Sequence, residues 1–200
     1  ANQPNVVFAS TSSVYGKTDR LPFQEDDPLG KPLAPYPATK IACELMGYTY
    51  HNLFDISFTA VRFFSVYGPR GRPDMMPFII TDSIVNDEVF QLYNAGEMHR
   101  DWTYVGDIVQ GVIAALETPL GYERLNLGRG QPVRMADFVT LIEDLVGKKA
   151  RMETPPAPAS EPPITYADIS KACRLLGYDP QISVKGGLAK FWAWYKENVL

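Results

Sequence analysis

Tyr36 and Lys40, in the stretch Tyr36-Pro37-Ala38-Thr39-Lys40, have the types and the spacing for proton chemistry. Residues four apart stand on one face of a helix, a turn from each other. A lysine ammonium beside a phenol stabilises the phenolate. It draws such a phenol from its ordinary value of about 10 toward the range of a general base. Upstream lies a run of hydroxyls, Ser10-Thr11-Ser12-Ser13. A hydroxyl arriving from a strand end can share a substrate oxygen with the tyrosine. Ser/Thr, Tyr and Lys in that order form a proton-transfer set for an alcohol being oxidised. A Tyr-x-x-x-Lys spacing also arises by chance, so the surrounding elements decide its weight.

Val6-Val7-Phe8-Ala9 is a short apolar run suited to a buried parallel strand. The hydroxyls follow at its C-terminal end, where ligands bind in open α/β sheets. Residues 16–35, rich in Pro, Gly and Asp, read as a loop that forms a flap across the site. The helix of Tyr36 continues through Ile41, Cys43, Leu45, Met46, Tyr48 and Leu53, apolar on more than one face, which predicts a fully buried helix. Ser57–Phe64 reads as the next parallel strand. It runs into Ser65-Val66-Tyr67-Gly68-Pro69-Arg70-Gly71-Arg72-Pro73-Asp74-Met75, a loop shaped by glycine and proline where binding groups belong.

Further along, residues 76–87 predict a helix and Val89–Asn94 a short strand. Ile108–Glu117 predicts a helix capped by Asp107 or the preceding turn. Leu125–Gly128 reads as a strand and turn. Met135–Val146 is an amphipathic helix with Phe138, Leu141, Ile142 and Leu145 as a core stripe. Residues 155–163 carry five prolines and no regular pattern. Asp168 is expected to cap a Ser170–Leu176 helix, and Phe191, Trp192, Trp194 and Tyr195 on the last helix read as packing.

The 200 residues, 46% hydrophobic and 21% charged, can bury a substantial core. A formal charge of -4 without a Lys/Arg run argues against nucleic acid as a partner. No apolar stretch approaches the roughly 18 residues of a membrane span, and no signal-peptide pattern opens the chain, so no membrane partner is expected. Cys43 and Cys173 read as buried thiols in a reducing, cytoplasmic compartment, and with only His51 and His99 no metal site is expected.

Ser10-Thr11-Ser12-Ser13-Val14-Tyr15-Gly16 followed by Tyr36-x-x-x-Lys40 resembles the extended short-chain dehydrogenase/reductase family of nucleotide-sugar epimerases and dehydratases. The stretch Arg62-Phe63-Phe64-Ser65-Val66-Tyr67-Gly68-Pro69, with Gly71-Arg72-Pro73-Asp74-Met75, is similar to the motif of UDP-glucuronate 4-epimerases. Arg100-Asp101-Trp102-Thr103-Tyr104-Val105 resembles a further family element. The fold so implied is α/β, the C-terminal part of a doubly wound, Rossmann-type parallel sheet with a smaller α/β substrate-binding region. Residues 1–68 would hold the remaining cofactor-binding part with the catalytic set. Residues 69–200 would mainly bind the nucleotide sugar, the chain crossing back to the sheet near 100–130.

The resemblance also implies roles. Tyr36 removes the proton of the sugar C4 hydroxyl, Thr11 bonds that oxygen, and Lys40 assists both the tyrosine and the nicotinamide ribose. Tyr36, Lys40 and Phe64 belong at the NAD cofactor. Ser65 and Arg72 meet the sugar, Arg100 the diphosphate and Tyr93 the uracil. Glu161 stands in place of a family aspartate on the ribose, on a longer arm, with Ser160 where the family has glycine. Relatives that eliminate water or carbon dioxide resemble Thr-Asp-Glu or Thr-Ser-Glu after the catalytic threonine. This chain has Thr11-Ser12-Ser13, whose neutral hydroxyls can hold a substrate carboxylate without repelling it.

The implied reaction is NAD-dependent 4-epimerisation of UDP-glucuronate through a 4-keto intermediate. A 4-epimerase of a neutral UDP-hexose is the nearest alternative, and an inactive fragment for nucleotide-sugar binding or dimerisation the alternative of another class. A homodimer through the Tyr36 helix is implied as well. The 200 residues contain no G-x-x-G-x-x-G loop for a dinucleotide pyrophosphate. The chain therefore reads as the C-terminal portion of a longer enzyme, expected to bind NAD weakly or not at all when alone.

Overall fold

A computed structural model describes residues 4–200. Its central sheet is parallel. Strand β1 (Asn5–Thr11) pairs with β2 (Ser57–Phe63) in register from Asn5↔Ser57 to Thr11↔Phe63. Parallel neighbours need a long crossover, and helix α1 (Pro35–Phe54) supplies it. Prolines 35 and 37 suit its first turn, where backbone N–H groups lack intrahelical partners. Gly47 lets α1 lie close on the sheet, since a Cβ there would stand 2.3 Å from the Phe58 ring.

After β2 the chain makes β3 (Ser65–Tyr67), α2 (Met76–Asn86), β4 (Val89–Gln91), β5 (His99–Arg100) and β6 (Trp102–Tyr104). Helix α3 (Val105–Glu117) then returns it to the central sheet as β7 (Tyr122–Leu127), parallel to β2, giving the order β1-β2-β7. The remainder is β8 (Val133–Arg134), α4 (Met135–Val146), β9 (Arg151–Glu153), β10 (Ile164–Thr165), α5 (Ser170–Leu176) and α6 (Val184–Asn198). Short pairings β3–β6, β4–β9 and β10-β5-β8 knit this part together. Gly147 ends α4 at φ 79°, a backbone conformation that glycine adopts without a Cβ penalty.

Val61, Leu127, Ile108 and Tyr178 are buried between β2, β7, α3 and the segment after α5. A larger cluster joins α2, α4 and α6 through Ile80, Ile84, Phe138, Ile142 and Leu188, with Trp102 stacked on Phe138 at 4.5 Å. The α4 stripe is part of that core: Phe138 and Ile142 are buried, Leu141 and Leu145 half-buried. Phe191 and Tyr195 of α6 pack inward too.

Several expectations change. Helix α1 is not buried: it turns only Pro37, Glu44 and Gly47 inward, while Leu45, Met46 and Leu53 are each about 60% exposed. The sheet covers one face of a helix, and the other apolar face looks outward. Asp107 lies inside the first turn of α3 and accepts from the distant Ile182 N–H instead of capping its own helix. The strand expected at Val89–Asn94 ends at Gln91, because Asn94 and Ala95 turn to φ 49° and 51°. Neither cysteine is buried: Cys43 is half-buried and Cys173 exposed. Asp168 does take the first amide of α5, accepting from Ser170 N at 2.9 Å.

Candidate active site

Strand β1 carries the hydroxyl run to its C-terminal end. Thr11 is its last residue, and its side chain accepts from Ser13 N at 3.2 Å and donates to Ser13 Oγ at 3.3 Å. This bond caps the short 3-10 turn Ser12–Tyr15 and points the following serines away from the strand. Thr11 itself is only 8% exposed. Tyr36 sits in the first turn of α1 with its side chain half in solvent. Lys40, one turn on, donates Nζ to Ala9 O at 2.9 Å and stands 5.7 Å from the centre of the Tyr36 ring. The helix and the strand end are thus tied together by the lysine.

A cavity of about 280 Å³ opens here. Ser12, Ser13, Tyr36, Ser65, Arg100 and Glu161 all line it. A second cavity, again about 280 Å³, shares Ser65, Arg100 and Glu161 and adds Tyr93, Trp102 and Met76. The two compartments differ in character: hydroxyls face the first, aromatic and thioether groups the second. The buried indole N–H of Trp102 has no hydrogen-bond partner among the described residues. At the shared boundary Arg100 donates to the carbonyls of His99 and Pro162 at 2.9 Å each and to Glu161 Oε2 at 2.8 Å.

The structure does not bring every expected residue into these cavities. Arg72 lies outside both, its side chain 74% exposed and paired with Asp74. Hydrogen bonding from that partner raises the arginine's pKa and lowers the aspartate's. Phe64 is 6% exposed and packs its ring with Phe23 at 6.1 Å, inside the core. Glu161 is bound to Arg100.

Beneath the site is a buried polar frame that sequence reasoning missed. Arg62 of β2 is fully buried and donates Nε and Nη2 to the two oxygens of Glu44 at 3.0 and 2.7 Å. Ser10 Oγ donates to the same carboxylate at 2.5 Å. Burial is the largest single influence and opposes the guanidinium charge, but the hydrogen bonds and charges facing it, those of Glu44 foremost, together hold the pKa above its ordinary value. Tyr15 lies 4.9 Å from Arg62, and its hydroxyl donates to Asn126 Oδ1 at 2.7 Å. Desolvation pushes that phenol up to about 12, so it stays neutral. Glu25 accepts from Asn126 N at 2.8 Å, its carboxyl raised by burial. One signal was available: Tyr36, Lys40 and Glu44 recur at four-residue intervals on α1, opposite an arginine in an otherwise uncharged strand.

Asp101, beside Arg100 in the Arg100–Val105 stretch, is fully buried and ties three segments together. Its oxygens accept from Arg129 N, Gly130 N and Ala167 N at 2.8, 3.0 and 3.0 Å. Desolvation raises its pKa against those bonds. It anchors Ala167, two residues past β10, which itself pairs with β5.

The model of the NAD dependent epimerase/dehydratase family matches residues 1–128. A UDP-glucuronate 4-epimerase of Thermodesulfobacterium geofontis is 44% identical over 195 residues, covering 97% of this chain and 60% of that protein. A UDP-glucuronate 4-epimerase of Arabidopsis thaliana is 40% identical over 210 residues, covering 96% of this chain and 48% of its own length. The crystal structure of UDP-glucuronic acid 4-epimerase from Bacillus cereus, in complex with UDP-glucuronic acid and NAD, matches with a TM-score of 0.91 at 35% identity, over 98% of this chain and 63% of that one. The chain thus spans about half to six-tenths of the length of these curated relatives. With the strand-end hydroxyls, Tyr36 and Lys40 all inside the matched region, the chain belongs to the NAD dependent epimerase/dehydratase family.

Proposed function

We propose that this chain is the catalytic and sugar-nucleotide-binding portion of an NAD-dependent UDP-sugar 4-epimerase, acting on UDP-glucuronate. One observation carries the reading: a hydroxyl-lined cavity holding Tyr36 adjoins an aromatic-lined cavity, with the Arg100 cation at their boundary. Such a pair fits a sugar, a diphosphate and a base in sequence. Tyr36 takes the proton of the sugar C4 hydroxyl and later returns it, while Thr11, Ser12 and Ser13 hold oxygens of the sugar. Tyr93 and Trp102 offer the base its apolar walls. The names of the two relatives and of the Bacillus cereus structure support UDP-glucuronate as the sugar.

The residues present fit the nicotinamide end of NAD. Lys40 donates only one of its three ammonium protons within the protein among the described residues, leaving donors for a ribose. NAD supplies a hydride acceptor that later returns the hydride. Tyr36 and Lys40 orient and exchange the proton; the chain next to Thr11 offers no carboxylate for eliminating water.

Residues 1–68 form the cofactor side of this proposal and 69–200 mainly the nucleotide-sugar side, with β7 returning to the sheet. The exposed apolar face of α1, with Leu45, Met46, Leu53 and Phe54, supports a homodimer through that helix. No helix among the described residues is long and apolar enough to cross a membrane. Cys43 and Cys173 are free thiols, which fits a reducing compartment such as the cytoplasm.

A second reading, the 4-epimerase of a neutral UDP-hexose, draws on the exposed position of Arg72 outside the cavity. Incubating the full-length enzyme of which this chain is the proposed portion with NAD and each of UDP-glucuronate, UDP-glucose and UDP-N-acetylglucosamine, then separating products, tests both. Conversion of UDP-glucuronate to UDP-galacturonate is expected; turnover of only the neutral sugars would refute the uronate assignment.

A further inference from the structure

Arg100 and Glu161 are among the few residues that line both cavities, so their ion pair stands where a ligand passes from one to the other. The strong hydrogen bonds of the guanidinium's terminal nitrogens go to two carbonyls and one carboxylate. Nη1 donates to His99 O and Pro162 O; Nη2 donates to Glu161 Oε2 and makes a long contact of 3.8 Å with Met98 Sδ. A phosphate that takes the Nη2 edge of this fork competes with Glu161 for it. The two carbonyls are main chain, held by the β10–β5 pairing and by His99 N donating to Pro163 O. Glu161 is different. It is on a flexible side chain, 44% exposed against 12% for Arg100.

Charge makes the same choice. A diphosphate and Glu161 carry the same sign, and one guanidinium cannot keep both close without their repelling each other. Exchanging one for the other leaves the nearly buried Arg100 paired throughout, so its charge is never desolvated alone. The arm of glutamate, longer than that of aspartate, lets the carboxylate reach the guanidinium in place of the ribose contact expected from the family pattern.

Resting on the nucleotide-sugar reading above, we propose that Glu161 is the displaceable counterion of Arg100, which the diphosphate of an incoming nucleotide sugar replaces. Glu161 then acts as a selectivity residue. A diphosphate, with more charge than a single carboxylate, displaces it readily; a free sugar, which carries no charge, does not.

Calorimetric titration of UDP, and separately of inorganic pyrophosphate, into the wild-type protein and the Glu161→Gln variant tests this. Removing one partner of a half-exposed pair should tighten both probes about fivefold, while Arg100→Gln should weaken both. Tighter pyrophosphate with no UDP binding by either protein would keep the counterion and refute the nucleotide reading. UDP that binds the two proteins equally, or Glu161→Gln more weakly, would overturn the counterion and leave the nucleotide reading standing. Absence of binding by both probes to both proteins would overturn both.

Discussion

Glu44→Gln should destabilise this protein far more than a carboxamide swap on its surface would. Glu44 is 2% exposed and its carboxylate takes three hydrogen bonds, two from the fully buried Arg62 and one from Ser10. The substitution keeps shape and one acceptor but leaves the guanidinium without a counter-charge in a dry interior. Breaking a buried pair by removing one partner costs about 3–5 kcal/mol. At roughly 2–4 °C per kcal/mol for a chain of this size, the melting temperature should fall by roughly 6–20 °C. Urea unfolding followed by circular dichroism and fluorescence, with the slope checked between variants, measures the loss. The double variant Glu44→Leu/Arg62→Met should recover most of it, because replacing both charges by apolar groups is commonly neutral or better. A single-variant loss below about 1 kcal/mol, or a double variant no better than the single, would refute the account of this pair as a mutually dependent buried unit.

Other outcomes follow from the same geometry. In the full-length enzyme, Tyr36→Phe should lower turnover by roughly 10²–10⁴ with UDP-sugar affinity nearly intact, measured by product separation and calorimetry; near wild-type turnover would remove Tyr36 as the base. Arg72→Leu should change the UDP-glucuronate to UDP-glucose ratio of kcat/KM by less than about fivefold, because its pair with Asp74 is exposed. A loss of a hundredfold would show that it swings into the cavity. Ser170 lowers the pKa of Asp168 through its hydroxyl and amide bonds, so the stabilisation is present above the ordinary aspartate value of 3.8 and fades as pH falls through the lowered one. Asp168→Asn should therefore cost about 1 kcal/mol or less at pH 7 and progressively less in acid, read from urea midpoints; a gap that stays constant down to pH 2 would contradict this. The 200-residue chain alone should show no saturable NAD site at micromolar concentration by calorimetry, and tight binding would show that the glycine-rich loop is dispensable.

What the sequence determined by itself was local. The helices Met135–Val146 and Ser170–Leu176 were legible to the residue, since a 3.6-residue period and their end signals lie within the segments themselves. The Tyr36 and Lys40 pair and the hydroxyl run could be read as chemistry because spacing along one helix and one strand end defines them. Tertiary structure decided what depends on distant neighbours. The outward apolar face of α1 could not be told from a buried one, because burial is set by what lies across from a helix and its composition is the same either way. Glu25 meets Asn126 across 101 positions and Asp101 meets Ala167 across 66, so no local pattern announces either. Glu161 changed place for the same reason, since folding brings it Arg100 from 61 positions away; the partner of Arg72, Asp74, stands only two residues on, and what the fold alone decides is that this pair faces outward.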